Sequence, residues 1–140
     1  MGKRSAFTLV ELVVVVMIIG VLVAIAAPKM MNVMGNATDN SVRMSLNVVR
    51  DAIENFATEH SGAYPSGDTE AAFKADVQPY LRGVFPTSLV GTKDADVKID
   101  PKDPLEADGL TGWMYNKDTG EFIINCTDAN DDGSTTYDKF

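Results

Sequence analysis

The chain has one cysteine, one histidine and one tryptophan in 140 residues, and each scarcity excludes something. Cys126 has no second cysteine to pair with, so neither an intrachain disulfide nor a cysteine-rich zinc site is possible; a small buried hydrophobe is the expected role. His60 falls at a predicted helix end beside Ser61, where an imidazole is ordinarily just solvated. The carboxylates show no recognisable pairing for acid–base work, and no glycine-rich loop is present to cradle phosphate. An enzyme is therefore not expected. Bases are also few: 12 Lys and Arg stand against 20 Asp and Glu, a net charge of -8. The imbalance is local, with seven bases against fifteen acids in residues 61–140. Such a surface repels nucleic-acid phosphates, so direct nucleic-acid binding is not expected, and the acid excess keeps an exposed domain soluble. Asn36-Ala37-Thr38 and Asn125-Cys126-Thr127 are sequons of a kind that arises often by chance.

What the chain does have is a long apolar run. Residues 7–27 begin Phe7-Thr8-Leu9-Val10-Glu11-Leu12 and stay apolar to Ala27, with Glu11 as the one charge and Lys3 and Arg4 just upstream. At about 1.5 Å per residue a helix of this length spans about 32 Å, enough to cross a bilayer. A lone carboxylate costs about 2.5–3.5 kcal/mol or more at the bilayer centre, so an intramembrane Glu marks a functional site. Near the start of the span, a free amino terminus would neutralise it. Gly20 and Ala24 form a small-xxx-small pair that permits close helix approach.

The segment resembles the class III signal of type IV pilins and type II secretion pseudopilins. In that family a short basic leader ends in a small residue and is followed by Phe-Thr-Leu-(Ile/Val)-Glu-Leu and an apolar helix. Lys3-Arg4-Ser5-Ala6 stands as the leader's end, and Phe7 to Leu12 matches the core without a gap. The family usually has Gly before the cut, where this chain has Ala6. The resemblance is tight over roughly Lys3 to Pro28 and follows the rest only in outline. It implies a leader of residues 1–6, cleavage by prepilin peptidase between Ala6 and Phe7, and N-methylation of Phe7. It also implies an inner-membrane subunit with a cytoplasmic amino terminus and a periplasmic head, in line with the positive-inside bias. The implied partners are copies of itself in a helical filament, minor pseudopilins, and an inner-membrane assembly platform with its ATPase. In lipid, Glu11 and the Phe7 amino group of an adjacent subunit are both poorly solvated, so pairing relieves both. Four residues separate them by about 6 Å along the axis, which a staggered neighbour bridges. Thr8 would add a hydroxyl hydrogen bond.

Beyond the span, Pro28 kinks or caps the helix. Val42, Leu46, Val49, Ile53 and Phe56 then recur at helical spacing and predict an amphipathic continuation over residues 28–60. Arg43, Arg50, Asp51 and Glu54 fall off that stripe, as a solvated face does. The helix is expected to be nearly continuous from Phe7 to about Glu59, bent at Pro28 and weak around Gly35, and to end at Ser61-Gly62. In the head, residues 61–140, Glu70 to Leu81 reads as a second helix capped by Asp68 or Thr69, with Pro79 near its end. Val97-Lys98-Ile99 is a candidate strand. Trp113-Met114-Tyr115 and Glu121-Phe122-Ile123-Ile124 flank a polar turn ending in Gly120, where a positive φ is expected. The fold class is α+β and pilin-like: a long amino-terminal helix packed on a small antiparallel sheet.

Asp128-Ala129-Asn130-Asp131-Asp132-Gly133-Ser134 follows the opening of a calcium loop, with hard oxygens at alternate positions and a Gly for the turn. Asp128, Asn130, Asp132, Ser134 and Asp138 are the candidate ligands. Lys139 stands where a twelfth-position Glu would close the loop. A rival reading takes Lys3-Arg4, the apolar run and Ala24-Ile25-Ala26 as an ordinary secretory signal, leaving a secreted or anchored soluble binding domain. Glu11 interrupting the run argues against it. The expectation is a type IV filament subunit. A type II secretion pseudopilin that drives protein export is favoured, and a type IV pilin for adhesion, twitching motility or DNA uptake is the runner-up.

Overall fold

The computed structural model describes residues 7–140. The leader, and with it Ala6, lies outside the described residues. The elements in chain order are helix α1 (Leu9–Glu59), helix α2 (Glu70–Val77), strand β1 (Val97–Ile99), strand β2 (Trp113–Tyr115) and strand β3 (Phe122–Ile124). Short 3-10 turns follow α2 (Gln78–Tyr80) and close the chain (Tyr137–Lys139). The class is α+β, as the sequence pattern predicts.

Helix α1 runs through Pro28 and Gly35. It stops where Ser61 and Gly62 adopt positive φ angles of 59° and 90°. The Gly62 amide donates back to the Ala57 carbonyl at 2.7 Å, closing the last turn. The chain divides into two compact units, Met1–Gly35 and Asn36–Phe140, so the head's own fold begins inside α1.

Within the second unit the stripe on α1 is buried as its spacing dictates. Val42, Leu46, Val49 and Ile53 join Phe73, Val77, Val97, Trp113, Tyr115, Phe122 and Ile124 in one core. The line continues through Ala57 rather than Phe56. Phe56 is half-buried and stacks on His60, with ring centroids 3.9 Å apart. Arg50 also departs from the sequence expectation of a solvated face. It is half-buried, and its Nε donates to the Phe122 carbonyl while Nη1 donates to the Phe140 main-chain oxygen, each at 3.0 Å. Its aliphatic stem lets a guanidinium reach across apolar surface to main-chain acceptors.

The three strands form one sheet in the order β1-β2-β3. The β2–β3 hairpin is antiparallel, with Trp113 opposite Ile124 and Tyr115 opposite Phe122. β1, however, pairs with β2 in parallel, so the sheet is mixed rather than antiparallel throughout. The loop between β1 and β2 makes this possible by returning the chain to the end where β1 began. That loop also covers the second face: Leu105 packs on Met114 and Ile123, while Trp113, Tyr115, Phe122 and Ile124 face the main core. Both faces being covered, β2 and β3 are buried at every residue, and hence their unbroken apolar sequences.

Two local signals hold closely. Thr69 caps α2, its Oγ1 accepting the Ala72 amide at 3.1 Å. α2 ends at Val77 rather than near Leu81 because Pro79 brings no amide to extend it, and the chain tightens into a 3-10 turn. Gly120 has φ 74°, and a Cβ there would lie 2.4 Å from the Tyr64 ring, so conformation and space both require glycine.

Candidate functional site

The first unit presents its apolar helix without covering it. Phe7, and Leu9 to Ile25 along α1, are exposed on every side, and no part of the most apolar 18-residue window is buried. A surface of this kind is stable only in lipid or against other helices, and its length and composition are those of a membrane anchor. Gly20 and Ala24 are exposed four residues apart on this helix, and a Cβ at Gly20 would meet nothing within 4 Å. Pro28 lies inside α1.

At the entry end, Thr8 and Glu11 build a reciprocal cap. The Thr8 amide donates to Glu11 Oε2 at 3.0 Å and the Thr8 hydroxyl donates to the same oxygen at 2.8 Å. The Glu11 amide in turn donates to Thr8 Oγ1 at 3.2 Å. This is a capping box, and it satisfies amide groups that the first turn of a helix leaves without partners. Its signal, Thr-x-x-Glu, is legible in the sequence. Glu11 is thus engaged within its own chain. Both bonds from Thr8 fall on Oε2, and Oε1 accepts none among the described residues.

The candidate calcium ligands lie in one loop, several of them occupied by it. Asn130 is buried; its Oδ1 accepts the Thr135 amide at 3.1 Å and its Nδ2 donates to Ser134 Oγ at 3.3 Å. Asp132 Oδ1 accepts the Ser134 amide at 2.8 Å. Asp128 is exposed, and its carbonyl takes the Tyr137 amide. Asp138 Oδ2 pairs with Lys139 at 3.0 Å, and its Oδ1 is buried with no hydrogen-bond partner. The oxygens are of the type calcium takes. Among the described residues, however, no three acidic, histidine or cysteine side chains are gathered closely enough to hold a metal. An ion would have to draw Asp128, Asp132 and Asp138 together.

A polar cluster that the sequence reading missed holds the β1–β2 loop. Asn125 is fully buried; its Oδ1 accepts the Asp108 and Gly109 amides at 2.7 and 3.0 Å. Its Nδ2 donates to Asp108 Oδ1 at 2.7 Å and Thr111 Oγ1 at 2.9 Å. Lys98 on β1 completes the cluster at 2.6 Å from Asp108 Oδ2. The Lys98 ammonium and the Asn125 amide together hold the Asp108 carboxyl down at about 2. No short motif encodes this arrangement, since its members come from three separate stretches of chain.

Residues 1–27 match the family described as the prokaryotic N-terminal methylation motif. The chain is also 32% identical over 127 residues to prepilin peptidase-dependent protein D of Escherichia coli (strain K12), covering 83% of this chain and 84% of that protein. No solved structure matches. With the methylation motif at its amino terminus, an exposed apolar helix behind it and a relative aligned over most of both lengths, the chain belongs to the type IV pilin and pseudopilin family.

Proposed function

We propose that this subunit is a type II secretion pseudopilin, polymerising into a periplasmic pseudopilus that drives protein export. In this reading prepilin peptidase cuts between Ala6 and Phe7, the new amino group of Phe7 is methylated, and the subunit waits in the inner membrane with its head outside. The observation supporting it is the entry end of α1, where a capped carboxylate, its Oε1 uncommitted among the described residues, stands at the head of an exposed apolar segment. On assembly, Glu11 Oε1 takes the Phe7 amino group of the neighbouring subunit while Oε2 stays with Thr8. Charge is neutralised without dismantling the cap. Gly20 and Ala24 then let neighbouring helices approach closely. The assembly platform, its ATPase and minor pseudopilins supply the work and the filament's start. Calcium at the Asp128–Asp138 loop is a separate part of the proposal, resting on the oxygen spacing and on the partnerless Asp138 Oδ1.

Deleting the gene and restoring it as wild type or as Glu11→Ala tests the reading. Loss of exported protein in the deletion, restored by wild type but not by Glu11→Ala, supports it. Normal export together with loss of surface filaments would overturn the secretion role and place the subunit in a true pilus. Amino-terminal sequencing of the mature protein should begin at Phe7; a start at Ala27 would mark a secreted domain instead.

A further inference from the structure

We infer that residues 127–140 form a strap, closed on α1 by three side chains, that opens as a unit and controls access to the thiol of Cys126. The three side chains are Asp39, Arg43 and Arg50, whose spacings of four and seven place them along one face of the helix. Asp39 is buried, although it lies in a polar stretch of α1. Its Oδ1 accepts the Tyr137 hydroxyl at 2.7 Å and its Oδ2 accepts the Asp131 amide at 3.2 Å. The Arg43 guanidinium carbon sits 3.4 Å from the centre of the Phe140 ring. Arg50 binds the Phe140 main-chain oxygen and, through Nε, the end strand β3. The strap is thus fastened near its middle and at its last residue.

Its internal structure is equally self-contained. Ala129 bridges Thr136, the Asn130 amide reaches the Thr135 carbonyl at 2.9 Å, and the Tyr137 amide returns to Asp128. The Asp138 amide donates to the Cys126 carbonyl at 3.0 Å, so the strap folds back over its own root. Only Tyr137 and Phe140 bring substantial apolar side chains to the core. A segment with little buried apolar surface and mostly polar fastenings opens at lower free energy than the core beneath it. Cys126 lies at that root, 4% exposed and in the same core cluster as Tyr137. That burial keeps the thiol out of solvent while the strap is closed. With no disulfide available, these side-chain contacts are what tie the end of the head to its helix. The inference is independent of whether the filament serves secretion or adhesion.

The full chain in detergent micelles tests it, since Cys126 is its one thiol. Maleimide labelling and amide hydrogen exchange are compared in wild type, Asp39→Ala, Tyr137→Phe and the double variant. The expected result for Asp39→Ala is at least tenfold faster labelling, with exchange of residues 127–140 accelerated to match and that of β2 and β3 unchanged. Tyr137→Phe should act in the same direction but less, and the double variant should be no faster than Asp39→Ala. Unchanged labelling, unchanged strap exchange, or acceleration of the strap and the β strands together would overturn the inference.

Discussion

The Thr8 hydroxyl donates to Glu11 Oε2 at 2.8 Å, so the acid of the membrane segment is held by a residue of its own first turn. Glu11→Ala removes both the cap partner and the uncommitted oxygen. It should leave cleavage and membrane insertion intact yet stop polymerisation, as read by mass spectrometry of the amino terminus and electron microscopy. Thr8→Ala keeps the carboxylate but frees it from its cap, at a cost to the helix of about 1 kcal/mol. That variant should still polymerise, with reduced yield.

The Asp108 cluster predicts how stability responds to acid. Its carboxyl sits at about 2, below the ordinary 3.8. A carboxyl depressed in the folded state adds stability that is complete above its unfolded value and is lost as pH falls toward the folded one. Wild type should therefore lose this contribution between about pH 4 and pH 2. Asp108→Asn lacks it throughout. Urea midpoints of the two proteins should differ at pH 6 and converge near pH 2.

Two positions on α1 separate buried from exposed apolar side chains. Leu46 is 2% exposed and Met44 is 69% exposed. Leu46→Ala should destabilise the head by about 2–5 kcal/mol, from lost burial and the cavity left behind. Met44→Ala should stay within about 0.5 kcal/mol of wild type in the same denaturation measured in detergent.

Calcium should raise the melting temperature of the full chain, with the rise abolished by Asp132→Ala. Absence of any shift at millimolar calcium would remove the ion from the account and leave the loop held by its own turns and by Asp39.

The parts of the fold legible in the sequence are those set by periodicity and local chemistry. The stripe from Val42 to Ile53, the Thr69 cap, the Gly120 turn and the β2–β3 pair follow from spacing and from residues with one dominant conformational role. The parts not legible depend on distant partners. Arg50 reads as part of a solvated face, and nothing in the sequence marks Asp39 as buried; only the return of a segment about ninety residues away, bringing Phe140 and Tyr137 to them, takes them out of water. The parallel placement of β1 is of the same kind, because nothing within Val97-Lys98-Ile99 states which neighbour it will meet or in which direction. At the site, the apolar span and its acid were evident from composition, whereas the Thr8–Glu11 cap needed the Thr-x-x-Glu spacing to be taken as a helix start.

The bare flank of α1 limits how the polymer proposed above could be supplied. On an insertion scale each Leu, Ile or Val along it favours lipid by about 0.3–0.6 kcal/mol, a total on the order of 6 kcal/mol, against which an ionised Glu11 sets roughly 2.5–3.5 kcal/mol at the bilayer centre. The balance still favours lipid over water along the segment. In the filament proposed above, growth would consequently draw on a two-dimensional reservoir, each unit passing sideways from bilayer to polymer base with no aqueous stage between.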